Sequence, residues 1–405
     1  MPADPMPALK STHPNPARIL IIFAFTAFIA LGMPDGLLGI AWPSIRTAFG
    51  QNHDSMGILL TSSVSGYFLS SFFGAPITRR LGIGWLLTLS CALTGATLWG
   101  YTLVPSWWWL VGIALFLGIG AGAIDSSLNT FIAAHYTEKY MQWLHASYGV
   151  GITLGPLIMT FSLGVFEDWR AGYRIVALGQ FALAALFLTK IGLWDKPSAE
   201  GEQKKIHEHQ NPLGATLRLP NAYLSAALFF TYVGLEVTLG HWAFSFLTEA
   251  RAIPQAQAGF WTGGYWLTFT IGRIFAGFLT RRLKAKQLFL SGLALGSLGG
   301  TLLALNPFAG SSLAGVALIG FALAPMYPSL MSMTAERVGK AHAANTIGLQ
   351  VSISGFGAAL LPGAMGVIAV RVGVGALPVF LLSLFGLLLT FFLASMWFKP
   401  ASSRA

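Results

Sequence analysis

The chain has 405 residues, 55% of them hydrophobic and only 9% charged, and its mean hydropathy of +0.66 excludes a soluble globular protein and predicts an integral membrane protein whose first partner is the lipid bilayer. The net charge of +10 arises from 24 Lys and Arg against 14 Asp and Glu; the basic residues fall in short breaks between apolar stretches, which marks them as topology determinants and excludes nucleic acid as a partner. A single cysteine, Cys91, excludes an intrachain disulfide, and no His or Cys spacing suits a metal site.

Residues 1–17 are polar and proline-rich and predict a cytoplasmic tail rather than a signal peptide. Crossing the hydrocarbon takes about 20 apolar residues. Stretches of that length predict twelve helical spans, at 18–49, 57–78, 84–104, 108–134, 143–166, 172–193, 220–249, 258–280, 287–306, 311–336, 342–369 and 373–398. The hydrophilic stretch between the sixth and seventh divides the chain into a six-helix bundle over 18–194, a cytoplasmic linker over 195–219 with an amphipathic piece at Leu213–Leu219, and a second six-helix bundle over 220–398. Residues 399–405 form a second cytoplasmic tail. Most of the 24 basic residues then lie on the side of the two termini, which predicts a multi-pass protein of a bacterial cytoplasmic (inner) membrane with both termini inside the cell.

The halves repeat. Thr78-Arg-Arg-Leu81 after span two returns as Thr280-Arg-Arg-Leu283 after span eight, and Asp35-Gly-Leu-Leu-Gly39 is answered by Glu236-Val-Thr-Leu-Gly240. Ser127-Leu128 matches Ser329-Leu330, and the Gly149, Gly151, Pro156 pattern matches Gly355, Gly357, Pro362. A nearly constant offset of about 200 residues argues for a duplicated six-helix unit in parallel orientation.

A charge at the bilayer centre costs about 2.5–3.5 kcal/mol even on a lenient scale, so each one in a span needs a compensating environment. Asp35, Asp125, Glu236 and Arg273 are in that position. An acid facing a watered cavity can load and release a proton, and a structural bond to a neighbouring helix is the alternative for each. Pro34 removes a backbone donor beside Asp35, and Gly32, Gly36 and Gly39 weaken the helix there, which predicts free carbonyls for a solute or a hinge. Arg273 is either a switchable partner of an acid or of an anionic solute, or a snorkelling or permanently paired charge. No phosphate loop, His-x3-His pair or strand-borne nucleophile is present, so no catalytic residue, cofactor or metal is expected and the chain is not read as an enzyme.

The segment "GAPITRRLGIG", with Arg79, Arg80 and Gly82, resembles the loop signature of the major facilitator superfamily, with Thr78 where that signature has an acid. "PDGLLGIAWPSIRTAF" and "GIGAGAIDSSLNTF" are similar to segments of the fucose–proton symporter family within it. The resemblance spans essentially the whole chain. It implies an all-α membrane protein with twelve transmembrane helices in two pseudo-symmetric six-helix bundles, spans one, four, seven and ten lining a central cavity, and a monomer. It also implies secondary active transport by alternating access, as proton-coupled symport of a neutral sugar or related small polar solute. Asp35 and Asp125 inherit proton coupling, and Asn129 a sugar contact; Glu236, which has no close motif match, joins the proton-coupling candidates through its place in span seven. Arg79 and Arg80 are gate residues or topology determinants. A sugar is held by planar polar groups and aromatic faces. Asn129, His145, Tyr148, His241, Trp242, Tyr265, Trp266, Asn345 and Gln350 are therefore the candidate substrate contacts, with Tyr232 and Trp261 behind them; interfacial anchoring or interhelical bonds are the alternatives. "GITLGP", Gly151 to Pro156, overlaps an antiporter signature of the same superfamily and keeps a second function open, a proton-coupled exporter of amphipathic or drug-like compounds; close packing of a bending helix pair is its structural alternative.

Overall fold

The computed structural model describes residues 16–136, 138–194, 212–280 and 282–398. The tails and most of the linker foreseen above lie outside them. The described residues contain twelve long helical segments and no strand. In the first half these are α1 (Pro16–Ala48), α2 (Ser55–Leu81), α3 (Ile83–Tyr101), α4 (Trp107–His135), α5 (Glu138–Val165) and α6 (Trp169–Leu188). In the second they are α7 (Pro220–Ser245), α8 (Gln255–Leu279), α9 (Ala285–Leu305), α10 (Ser311–Leu323), α11 (Lys340–Val372) and α12 (Leu377–Trp397). A π-helical turn, Phe246–Ala250, prolongs α7.

Ten of these segments are apolar enough to span a membrane by length and composition alone. The other two, α2 and α8, are long but rich in Ser, Thr and Gly. Both are the helices that reach across to the opposite bundle, α2 onto α11 and α8 onto α5, where small side chains allow close approach.

Within each half the same pairs pack: α1 with α5 and α7 with α11, α2 with α4 and α8 with α10, α3 with α6 and α9 with α12. The duplication read from the sequence is therefore a duplication of contacts. Asn221 at the start of α7 donates to the Arg337 and Phe398 carbonyls, which places the ends of α7 and α12 at one common end of the bundle. We call the end carrying the start of α1 and the finish of α12 proximal, and the other distal. At the proximal end Gly82, at φ 76°, turns the chain from α2 into α3 with almost no loop, a conformation an L side chain resists.

α10 ends where Pro325 and Pro328 each withdraw a backbone donor. It resumes as the short helix Met326–Ser332. Leu213–Thr216 forms a short helix before α7, docked on α11 by Thr216: its hydroxyl lies 2.9 Å from His342 Nδ1 and accepts from Asn345 Nδ2 at 3.2 Å.

The two bundles meet from the membrane centre to the distal end. There α1 and α7 touch at Gly39, where a Cβ would stand 2.7 Å from the Gly240 carbonyl oxygen, and α2 and α11 touch at Gly57 and Gly363. Nearer the centre Phe68 stacks on Phe356 at 5.2 Å. Arg46, on α1, pairs with Glu249 at 3.1 Å, and His53, just before α2, lies 3.3 Å from the same carboxylate. The distal end is thus latched shut across the bundle interface.

Candidate functional site in the bundle interior

The site begins where α1 crosses α5. A Cβ on Gly32 would stand 2.5 Å from the Tyr148 carbonyl oxygen, one on Gly36 2.5 Å from that of Ile152, and one on Gly155 2.5 Å from that of Met33. The glycines around Asp35 therefore serve backbone contact; they do not break the helix, and α1 runs unbroken through Pro34. Nor does Pro34 leave a carbonyl for a solute. The Ala30 carbonyl, which Pro34 leaves without its helical donor, accepts from Gln180 Nε2 on α6 at 2.6 Å. Both features correct the expectation of a weakened, solute-binding turn.

This crossing sets the Tyr148 hydroxyl to donate to Asp35 Oδ2 at 2.7 Å. Asp35 is exposed although it lies well inside α1. A second acid is built in the same way between α2 and α4, where Gly66 and Gly118 lie against the Leu115 and Ser63 carbonyls. Tyr67 on α2 donates to Asp125 Oδ2 at 2.5 Å, and Asn129, one turn along α4, donates to Oδ1 at 2.9 Å. The Asp35 and Asp125 charges act on one another. Tyr67, bonded to Asp125, also feels the Asp35 charge. His145, exposed one turn before Tyr148, feels Asp125 and Arg273.

Across the interface stands the second half-site. The Tyr265 hydroxyl donates to the Glu236 backbone carbonyl at 2.9 Å. The Tyr232 hydroxyl lies between the Leu323 carbonyl, at 3.0 Å, and the Glu236 carboxylate; its one proton serves one acceptor at a time. Arg273 lies 4.4 Å over the Phe269 ring, and its charge acts on Glu236, Tyr265 and Tyr327. Tyr327 in turn feels both Glu236 and Asp125, so the two half-sites face one centre. Among the described residues, no ion pair within 4.0 Å involves Asp35, Asp125, Glu236 or Arg273.

Trp242, Gln350 and Asn345 lie apart from this cluster, and Trp266 and His241 border it. Trp242 is buried, its indole donating to the Pro362 carbonyl at 3.0 Å. Gln350, fully buried, donates to Thr334 at 2.9 Å. Asn345 holds Thr216 at the proximal end. Trp266 packs edge-on to Tyr265 at 4.7 Å, and Trp261 contacts Phe260. His241 is buried and borders a small cavity that also touches Asp35. Arg80 is exposed at the end of α2, while the Arg79 side chain lies outside the description. "GITLGP" is occupied in packing: Gly151 lies against the Ile29 carbonyl, and Pro156 and Leu157 face Gly263 of α8.

Tyr67 and Tyr327 were missed by the sequence reading. For Tyr327 a signal existed, because the repeat that pairs Ser127 with Ser329 also pairs Asp125 with Tyr327. Tyr67 meets Asp125 only through the α2–α4 crossing, and no spacing announces it. No group of three or more His, Cys, Asp or Glu among the described residues could hold a metal.

The Major Facilitator Superfamily model matches residues 21–249 and 224–405. The glucose/mannose transporter GlcP of Bacillus subtilis (strain 168) is 23% identical over 84% of this chain and 85% of its own. The membrane protein MosC of Rhizobium meliloti is 27% identical over 93% and 90%. The solved D-xylose-proton symporter shares the fold with a TM-score of 0.75 at 15% identity, covering 95% of this chain and 98% of its own. With the duplicated six-helix contacts and the interior site between them, these matches make the chain a transporter of the Major Facilitator Superfamily and not an enzyme.

Proposed function

We propose that the protein is a secondary active transporter that moves a neutral sugar or related small polar solute together with protons, by rocking of the two bundles around the interior site. The observation that carries this reading is the pair Asp35 and Asp125, each hydrogen-bonded to a phenol and neither ion-paired, with Asp35 exposed. An acid held only for structure would be closed off from water; Asp35 stands exposed, and the phenols that hold both acids suit the protonated and the ionised carboxyl alike. A sugar-like solute is supported by the polar and aromatic groups at the centre, Asn129, His145, Tyr148 and Tyr327, and by the names of GlcP and the xylose symporter. The proximal end is cytoplasmic in this reading, in a bacterial inner membrane, because most basic residues lie there.

Uptake of radiolabelled hexoses and pentoses into proteoliposomes, driven by an imposed pH gradient, tests it. Wild type accumulates a solute. The combined Asp35→Asn and Asp125→Asn variant loses gradient-driven accumulation but keeps exchange of labelled for unlabelled solute. Undiminished coupling in that double variant would refute the assignment.

A further inference from the structure

A cavity of about 50 Å³ lies on the distal side of Asp35, bounded by Pro34, Asp35 and Leu38 of α1, Ser63 of α2, Tyr101 of α3, Tyr173 of α6 and His241 of α7. Leu59, Leu60 and Leu117 complete a lining that is half apolar; the volume suits one or two waters against its polar side, where a carboxylate, three hydroxyls and an imidazole offer partners. The Tyr101 and Tyr173 rings stand 5.5 Å apart. Next to them in sequence, Thr102 and Arg174 are hydrogen-bonded at 3.3 Å, and Tyr101 is the last residue of α3. The cavity therefore lies between the interior acid and the distal end, inside the first bundle.

All but one of its walls belong to that bundle. The exception is His241 on α7, held over the cavity by the crossing at Gly39, where a Cβ would stand 3.0 Å from the His241 Cα. That crossing is part of the distal closure, and it must part if the bundles rock the other way. We infer that His241 is a plug: it seals a hydrated pocket behind Asp35 while the distal end is closed, and its withdrawal with α7 connects Asp35 to distal water. The other titratable groups around Asp35 are Tyr148 on α5, Tyr67 on α2, Asp125 on α4 and Glu236 on α7, besides Tyr101 and Tyr173. His241 alone joins the distal wall of the pocket to the opposite bundle. The inference rests on the proton-coupled reading above.

Proton entry into proteoliposomes loaded with a pH-sensitive dye, with no solute present, tests it under an imposed pH gradient. Wild type holds the gradient. His241→Ala leaks protons and its solute accumulation collapses, whereas His241→Phe, which restores bulk without a titratable group, holds the gradient as wild type does. Adding Ser63→Leu, which fills the pocket from α2, closes the leak of His241→Ala. A tight His241→Ala variant overturns the plug, and so does a leak from His241→Phe as large as that from His241→Ala. The dye signal needs no transport, so a wild type that holds protons yet shows no proton-driven uptake of any solute would refute the proposed function and leave the plug to be judged on the leak alone.

Discussion

The two bundles share their helix packing but not their chemistry. In the first, two acids face the centre and each takes a phenolic hydrogen bond, Asp35 from Tyr148 and Asp125 from Tyr67. In the second, the repeat keeps one acid, Glu236, replaces the other with Tyr327, and adds Arg273. Duplication preserved the glycine crossings that build the scaffold, since Gly151 against Ile29 in the first half is matched by Gly357 against Phe230 in the second. The interior side chains were free to diverge. One half then holds two acids with no Lys or Arg beside them among the described residues, and the other holds one acid with the Arg273 charge acting on it.

This contrast can be broken most severely at Arg273. Arg273→Ala leaves Glu236 without its nearby positive charge, and gradient-driven uptake should fall about a hundredfold, equivalent to about 2.7 kcal/mol. Adding Glu236→Gln should recover part of that loss, as expected of interacting neighbours. Uptake by the two single variants and the double variant measures the coupling, and strict additivity would show that the charges act independently. A smaller effect sharpens the comparison. Tyr148→Phe removes one hydrogen bond to a carboxylate, about 1.5 kcal/mol, and should lower proton-driven uptake more than exchange. Tyr232→Phe, whose hydroxyl has the Leu323 carbonyl as a second acceptor, should lower both together; equal patterns in the two variants would erase the distinction between the halves. The smallest effect is expected at the distal latch. Glu249 is partly exposed, so Glu249→Gln should cost the closed arrangement about 1 kcal/mol or less. That shift is readable as an increased distance between spin labels placed at the distal ends of α1 and α7, and an unchanged distance distribution would remove the ion pair from the gate.

Much of the architecture was legible because lipid imposes long apolar segments. α5, for instance, was expected from residue 143 and begins at Glu138, since its first turns are polar and stand proximal to the apolar run. Charged residues in spans were legible for the same energetic reason; Asp35 acts on Asp125, and Glu236 on Arg273. The phenols were less so. A tyrosine in a span reads equally as an anchor or a filler, and Tyr67 acquires its meaning only when α2 lies across α4. Glycine misled in another way: propensity alone reads Gly32 and Gly36 as weak points, while the tertiary fold uses them for contact. Gln350 and Asn345 were polar residues in an apolar stretch whose needs are met by neighbouring Thr334 and Thr216, which sequence spacing does not reveal.

The Gln180 bond to Ala30 has a mechanical consequence. By satisfying the carbonyl that Pro34 abandons, it closes the gap near the middle of α1, which stays helical over 33 residues, about 50 Å, with its second proline, Pro43, near the distal tip. Asp35 sits a few residues from its midpoint, at the α5 crossing, so a tilt of about 10° would swing each tip by about 4 Å and barely displace the carboxylate. The acid is mounted at a fulcrum, a place on α1 that the rocking proposed above would leave almost still.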